Sequence, residues 1–279
     1  MNLRPFQQVD VFTATPYQGN PVAVVLDGHG LSTAQMQAFT DWTQLSEATF
    51  LLPPTQSEAD YRVRIFCPGR ELPFAGHPTL GSCHAWLAAG GQSRHAQEIV
   101  QECGVGLVRI RREGHRLAFE APPLQRSGPL AAEDLDRIIE GLGLNPSDIV
   151  AHAWCDNGPP WQSVMLRSAA QVRQLRPDAC RLAGRFTGVV APHAAGSETS
   201  FEVRAFFPGQ QGLMEDPVTG SLNAALAQWM IGAGIAPSRY EATQGTALGR
   251  AGRVHVQADE DGVWIGGDSV SCVSGTVRL

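Results

Sequence analysis

The chain carries the stretch R-I-F-C-P-G at residues 64–69 and, shortly after it, G-H-P-T-L-G-S-C-H-A-W-L-A at residues 76–88. The second half repeats the pattern with R-A-F-F-P-G at residues 204–209 and E-D-P-V-T-G-S-L-N-A-A-L-A at residues 215–227. Both copies contain R-x-F-x-P-G followed by P-x-x-G-S-x-x-A-x-L-A. So many identities at matching spacing indicate an internal duplication, which predicts two homologous lobes.

Each copy of the repeat runs from a strand through a P-G turn and a glycine-rich loop into an Ala/Leu-rich segment. The segments Ser82–Ala89 and Ser221–Ile231 are apolar on nearly all sides, which is typical of a buried helix. We therefore expect each lobe to wrap strands around one central helix. In this chain of 279 residues, we expect an N-terminal lobe over residues 1–123, joined by the last strand at 270–279, and a C-terminal lobe over residues 124–269.

The composition excludes several classes of function. Hydrophobic residues make up 43% of the chain and charged residues 17%, which is enough apolar material for a packed core. All 21 basic residues are arginine. A chain without lysine cannot form the Schiff base of a pyridoxal phosphate enzyme or of an aldolase, and it cannot form a Walker A loop. The formal net charge is -6 and no basic run occurs, which argues against a nucleic acid partner.

The sequence also contains no targeting or membrane signal. The N-terminus M-N-L-R-P-F-Q-Q-V-D-V-F lacks the apolar core of a signal peptide, and no apolar run approaches the roughly 20 residues of a membrane span. We therefore expect a cytoplasmic protein with no membrane partner. The six cysteines are scattered without a C-x-x-C pair, so neither a zinc site nor a disulfide framework is expected.

Polar and ionisable residues lie just before each predicted central helix. Serine is a good N-cap residue, so Ser82 and Ser221 are expected at the two helix starts. The first N–H groups of a helix carry partial positive charge, which suits the carboxylate of a small acidic molecule. Matching the proline that follows each ionisable residue places His77 opposite Asp216. An imidazole and a carboxylate facing each other across a cleft between the lobes would suit proton transfer.

A third candidate is Glu47, in the stretch L-S-E-A-T-F at residues 45–50. It lies between a predicted helix and an apolar strand, in a region with little other charge. A carboxylate in such a place can act as a general acid or base. A solvated glutamate at a helix end is the alternative interpretation of the same pattern.

Three longer stretches resemble the signatures of the phenazine-biosynthesis PhzF-type family. They are S-E-A-T-F at 46–50, E-L-P-F-A-G-H-P-T-L-G at 71–81 and E-D-P-V-T-G-S at 215–221. The opening V-D-V-F-T…G-N-P-V-A-V-V and the late Q-G-T-A-L-G-R at 244–250 are similar too. The resemblance covers essentially the whole chain in the same order. It implies an α+β fold of the diaminopimelate epimerase-like type, with two pseudo-symmetric lobes, each a barrel-like β-sheet around a central helix, and a site between them.

The resemblance also implies an activity. Members of the family are usually homodimers and need no metal or organic cofactor, and the phenazine enzyme isomerises trans-2,3-dihydro-3-hydroxyanthranilate by moving a proton between ring carbons. Carried over by motif, Glu47 would be the proton-shuttling acid/base of an isomerase acting on a small carboxylate-bearing substrate. Three other residues, His77, Asp216 and Ser221, would take part in catalysis. The substrate-binding residues would be Ser46, Gly76, Thr219 and Gly220.

Related enzymes of the same fold use a pair of cysteines in these two loops. The resemblance gives Ala75 and Pro217 as the corresponding residues of this chain. The resemblance therefore implies that the chain is not a two-cysteine racemase or epimerase. Two other classes stay open: a non-catalytic small-molecule-binding protein of the same fold, and a cofactor-free hydrolase or lyase. A binder is expected to have lost an ionisable residue from the motifs. A hydrolase is expected to yield net hydrolysis, without solvent deuterium in a recovered compound.

Overall fold

The computed structural model describes residues 2–209 and 212–279, which fall into two compact units. Unit 1 comprises Met1–Glu120 and Gly266–Leu279, and unit 2 comprises Ala121–Ile265. Each unit combines a mixed β-sheet with a few α-helices, as an α+β fold does. In the part of the chain that the structure describes, no helix is long and apolar enough to cross a membrane.

The helices and strands follow one another in two similar series. The elements up to Glu120 are β1 (Leu3–Val11), β2 (Asn20–Val25), α1 (Thr33–Thr43), β3 (Glu47–Leu52), β4 (Tyr61–Cys67), β5 (Arg70–Leu72), α2 (Gly76–Ala88), β6 (Glu98–Cys103), β7 (Gly106–Glu113) and β8 (Arg116–Glu120). Those that follow are α3 (Ala132–Leu142), β9 (Ala151–Asp156), β10 (Pro160–Met165), α4 (Ala169–Gln174), β11 (Phe186–Pro192), β12 (Phe201–Gly209), β13 (Gly212–Asp216), α5 (Gly220–Gly232), β14 (Arg239–Gln244), β15 (Gly252–Asp259), β16 (Gly262–Gly267) and β17 (Ser269–Arg278).

The sheets of the two units share one topology. In unit 1, neighbouring strands follow the order β17, β1, β2, β3, β4, β6, β7, β8, with β2–β3 and β4–β6 parallel and the others antiparallel. In unit 2 the order is β9, β10, β11, β12, β14, β15, with β10–β11 and β12–β14 parallel. β5 forms a hairpin with β4, and β13 forms one with β12. The strands from β1 to β7 therefore correspond one by one to those from β9 to β15.

One face of each sheet covers a buried helix, α2 in unit 1 and α5 in unit 2. Most residues of both helices are buried, which is why their sequences are apolar on all sides. Close packing requires small residues at the contact. A Cβ at Gly81 of α2 would lie 2.4 Å from Cγ1 of Val22, and a Cβ at Gly188 of β11 would lie 2.5 Å from Cδ1 of Leu222 in α5.

The opposite face of each sheet packs against shorter helices. In unit 1, Met36 and Phe39 of α1 pack against Phe50 and Phe66. In unit 2, α3 and α4 cover an apolar cluster that includes Phe206 of β12. The central strands are thus buried on both sides, which explains their nearly continuous apolar runs and holds the ends of β3, β4, β11 and β12 in place.

Candidate active site

Each unit contains a hairpin closed by an arginine–glutamate pair. In unit 1, Nε and Nη2 of Arg64 donate to the two carboxylate oxygens of Glu71 at 2.7 and 2.6 Å. In unit 2, Arg204 donates to Glu215 in the same way at 2.8 and 2.7 Å. In both hairpins the residue two positions after the arginine lies opposite the glutamate. Since Arg64 and Arg204 are equivalent in the R-x-F-x-P-G motif, Glu71 and Glu215 are equivalent too.

This equivalence changes the register of the repeat beyond the hairpin. The matching stretches are E-L-P-F-A-G-H at residues 71–77 and E-D-P-V-T-G-S at residues 215–221. His77 is therefore the counterpart of Ser221, and Asp216 is the counterpart of Leu72. The expectation that His77 and Asp216 occupy matching positions is wrong. The second hairpin is longer than the first. Pro217 therefore corresponds to Pro73, and not to Pro78.

The two central helices start at equivalent glycines. α2 begins at Gly76 and α5 at Gly220, so His77 and Ser221 each lie in a first helical turn. The N–H groups at the start of a helix have no partner within it, and they carry the positive end of the helix dipole. Each unit therefore has a helix N-terminus that favours an anion, with a polar side chain in its first turn.

The predicted role of Ser82 as an N-cap residue is wrong. Ser82 lies inside α2, is fully buried, and donates from its hydroxyl to Oγ1 of Thr49 at 2.8 Å. The N-cap residues are Ala75 and Thr219 instead. Because these two positions are equivalent, the counterpart of Ala75 is Thr219 and not Pro217, and neither residue carries a thiol.

Unit 1 brings Glu47 and His77 together. Glu47 is the first residue of β3 and lies opposite Val22 of β2, and the bend just before it holds the half-buried Ser46. Nε2 of His77 is 3.3 Å from Oε2 of Glu47, within ion-pair distance but without the alignment of a hydrogen bond. The side chains are 5% and 16% exposed, respectively. Glu47 is thus a largely shielded carboxylate beside an imidazole, and not a solvated helix-end residue.

Burial keeps the imidazole of His77 neutral. Loss of hydration lowers the pKa of His77 from 6.5 to about 3, and a hydrogen bond with the backbone of Pro21 offsets only part of this effect. The amide nitrogen of Asn20 lies 3.3 Å from Nδ1 of His77. Because the ring is neutral, one of its two nitrogens carries a proton and the other is an acceptor. The ring therefore lies beside the carboxylate of Glu47 without carrying a charge.

Asn20 and Asp10 support this site, and sequence reasoning did not single them out. Asn20 is fully buried and follows Gly19, whose N–H donates to Oδ2 of Asp10 at 3.0 Å. Asp10 is itself buried. Both residues lie in the V-D-V-F-T…G-N-P-V-A-V-V stretch, which is a signal in the sequence. Only the structure shows that Asn20, at the start of β2, lies beside His77.

Unit 2 contains a network around Asp216. The hydroxyl of Thr219 donates to Oδ2 of Asp216 at 2.6 Å. The fully buried Gln244 donates from Nε2 to the carbonyl of Asp216 at 3.0 Å and to Oγ1 of Thr219 at 2.9 Å. Its Oε1 accepts from the N–H of Thr219 at 3.0 Å and from Nδ2 of Asn223 at 2.8 Å. A satisfied buried network of this kind holds Asp216 and the start of α5 in one arrangement.

Two side chains of unit 2 form hydrogen bonds with Ser221. Nε1 of Trp161 donates to the hydroxyl oxygen of Ser221 at 3.1 Å, and Nδ2 of Asn157 donates to its carbonyl at 2.9 Å. A hydroxyl that accepts from an indole keeps its own proton for donation. Ser221 can therefore donate to an anionic or carbonyl oxygen placed at the start of α5.

The predicted site residues thus fall into two groups, one in each unit. Unit 1 groups Ser46, Glu47, Gly76 and His77, and unit 2 groups Asp216, Thr219, Gly220 and Ser221. Each group combines a carboxylate, a neutral hydrogen-bond donor and a helix N-terminus. Such a combination can hold an acidic molecule by its anionic group and exchange protons with it.

The sequence is similar to a described family over nearly its whole length. The family model of the phenazine biosynthesis-like protein, PhzC-PhzF, matches residues 9–275. A curated relative from Schizosaccharomyces pombe, "Antisense-enhancing sequence 1", is 35% identical over 99% of this chain and 99% of its own. The trans-2,3-dihydro-3-hydroxyanthranilate isomerase of Pseudomonas aeruginosa is 34% identical over 94% of this chain and 93% of its own.

Solved structures share the fold. The phenazine biosynthesis protein of the PhzF family from Bacillus anthracis has a TM-score of 0.84 and 21% identity, with all of both chains covered. A hydroxyproline epimerase from Agrobacterium vitis has a TM-score of 0.63 and 12% identity, covering 99% of this chain and 93% of its own. The predicted α+β fold of the epimerase-like type is confirmed.

Proposed function

The chain belongs to the phenazine biosynthesis-like PhzC-PhzF family, and we propose on that premise that it is an isomerase that moves a proton between carbons of a small carboxylate-bearing substrate. The observation that carries the proposal is the contact between Glu47 and His77, in which a shielded carboxylate lies 3.3 Å from an imidazole. Burial holds the pKa of His77 near 3, so the ring is neutral at physiological pH. A carboxylate such as that of Glu47, beside a neutral ring, can accept a proton.

In the proposed mechanism Glu47 acts first as a base and then as an acid. Its carboxylate takes a proton from one substrate carbon, and the electron pair of that C–H bond moves into the adjoining unsaturated system. The carboxylic acid then returns the proton to a different carbon, so no atom is gained or lost. The neutral ring of His77 lies beside Glu47 throughout the transfer, and the amide nitrogen of Asn20, 3.3 Å from Nδ1, holds the ring in that position.

The substrate carboxylate is proposed to bind at a helix N-terminus, where the backbone N–H groups and the dipole favour an anion. Asp216 and Ser221 are included in the proposal as residues that act on the same substrate, on the strength of the resemblance and of their position at the start of α5. The homodimer, the cytoplasmic location and independence from metal and organic cofactors stay predictions.

Solvent isotope exchange tests this function. The protein is incubated in D2O with trans-2,3-dihydro-3-hydroxyanthranilate and, separately, with a metabolite extract, and recovered compounds are checked by mass spectrometry for deuterium. Glu47→Gln is expected to slow exchange by about 100-fold or more, since the amide cannot carry the proton. Glu58→Gln, at an exposed carboxylate of unit 1, is the matched control and should exchange normally.

Circular dichroism of Glu47→Gln should match that of the parent protein, because the amide has the shape of the carboxyl group. Undiminished exchange by a folded Glu47→Gln protein would refute the proposed role of Glu47. Net hydrolysis of a compound without deuterium in the recovered starting material would favour a hydrolase instead.

A further inference from the structure

A row of large apolar side chains crosses four strands of unit 2. Trp161 of β10 lies opposite Phe186 of β11, and Phe207 of β12 lies opposite Met214 of β13. Phe186 and Phe207 are the next pair after the last paired residues of β11 and β12. Since paired residues point to the same face of a sheet, all four side chains share one face. We call Trp161, Phe186, Phe207 and Met214 the aromatic row.

The three aromatic side chains of the aromatic row contact one another in sequence. The ring centroids of Trp161 and Phe186 are 5.3 Å apart in an edge-to-face arrangement, and those of Phe186 and Phe207 are 6.5 Å apart with nearly parallel planes. Met214 packs over Gly209, where a Cβ would lie 2.2 Å from its sulfur. Because glycine lacks a Cβ, the Met214 side chain can lie over this position of β12.

The aromatic row runs from a site residue into solvent. At one end Trp161 is buried and donates to the hydroxyl of Ser221. Phe186 and Phe207 are half-buried, and Met214 at the other end is 47% exposed. Asp216 lies two residues after Met214 on the same strand, so it points to the same face. The row thus joins Ser221, at its buried end, to the partly exposed face of the strand that carries Asp216.

The internal repeat shows which residues of unit 1 are equivalent to the aromatic row. The equivalent row in unit 1 is formed by Val22, Glu47, Cys67 and Arg70, because Val22 lies opposite Glu47 and Cys67 lies opposite Arg70. The β3–β4 pairing places Glu47 and Cys67 next to each other in the same way. Phe186 is therefore the counterpart of Glu47. The same strand positions carry the acid/base residue in one unit and an apolar surface in the other.

We propose that the aromatic row is the specificity surface of the enzyme and that it binds the apolar body of the substrate, selecting carboxylates with a flat unsaturated body over those with a saturated, puckered one. Phenylalanine rings and a methionine thioether contact flat π-systems favourably, and a puckered ring touches them over less area. Ser221, at the buried end of the row, then lies beside the polar group of the same molecule. The inference rests on the proposed function for the identity of the site residues.

Binding measurements test the proposal with benzoate as the flat probe and cyclohexanecarboxylate as the puckered one. By isothermal titration calorimetry, the parent protein should bind benzoate about tenfold or more tightly than cyclohexanecarboxylate. Phe207→Leu keeps an apolar side chain but removes the flat ring, and Met214→Ala removes the exposed end of the row. Both variants should lose most of the preference, mainly by weaker benzoate binding. Val150→Ala, at an exposed apolar residue of the same unit outside the row, should keep it.

Equal binding of the two probes by the parent protein, no binding of benzoate, or an undiminished preference in folded Phe207→Leu and Met214→Ala proteins would overturn the proposal. Glu47→Gln separates it from the proposed function. That variant should keep the preference for benzoate while isotope exchange is lost. A Glu47→Gln protein that exchanges normally would refute the proposed role of Glu47 and would leave the proposal for the aromatic row unchanged.

Discussion

Replacing His77 tests whether the fold holds this imidazole neutral. Burial lowers the pKa of His77 from 6.5 to about 3, so the folded protein excludes a proton that the unfolded chain binds below about pH 6.5. For a residue with a lowered folded pKa, stability is lost as the pH falls from the unfolded value towards the folded one. Between about pH 7.5 and about pH 5, these two pKa values correspond to a loss of about 2 kcal/mol from this residue alone.

The variant His77→Asn cannot titrate, so the parent protein should lose about 2 kcal/mol more unfolding free energy than the variant over this range. Urea unfolding at the two pH values, followed by circular dichroism, measures the difference. His29→Asn, which removes an exposed imidazole of the same unit, should follow the parent protein. Identical pH dependence in the parent and in His77→Asn would refute the argument that burial keeps His77 uncharged.

Four further substitutions, one of them a matched comparison, probe the residues that support the site. Asn20→Ala removes the amide that faces the buried imidazole and should lower kcat about 10- to 100-fold with little change in KM, and an unchanged kcat would contradict its positioning role. Arg204→Met leaves a nearly buried carboxylate unpaired and should cost about 3–5 kcal/mol in urea unfolding, whereas Arg64→Met at the more exposed pair should cost about 1 kcal/mol or less. Equal losses would show that burial does not set the difference. Gln244→Ala leaves several buried partners unsatisfied and should cost about 3 kcal/mol, and an unchanged melting temperature would contradict the network around Asp216.

The central helices show what local patterns can and cannot predict. Their apolar character was readable from the sequence because a helix buried on all sides needs no polar stripe. Their starts were not, since serine is the better N-cap residue and glycine and proline are poor helix formers. In the structure α2 already begins at Gly76 and its Gly81 packs on Val22. Tertiary packing thus overrides the local preference, because glycine allows the close contact with the sheet.

The register of the repeat also shows what a sequence pattern can and cannot predict. Two copies of P-x-x-G-S suggested that His77 and Asp216 correspond. The pairs Arg64–Glu71 and Arg204–Glu215 show instead that the longer second hairpin shifts the match. A sequence match cannot distinguish a longer turn from a slip between motifs, whereas hydrogen bonds between strands identify which residues are opposite one another.

The sequence by itself determined the two-unit α+β fold and the absence of lysine chemistry. It also identified Glu47, Asp216 and Ser221 as candidate site residues. These results could be read from the sequence because duplication, composition and short motifs are properties of the chain itself. The tertiary structure alone decided that His77 meets Glu47, that Asn20 holds the imidazole, and that Phe186 is the counterpart of Glu47. Each of these relations joins residues that are distant in the chain. Strand pairing and burial create them, and they also shift the pKa of His77, which no local pattern records.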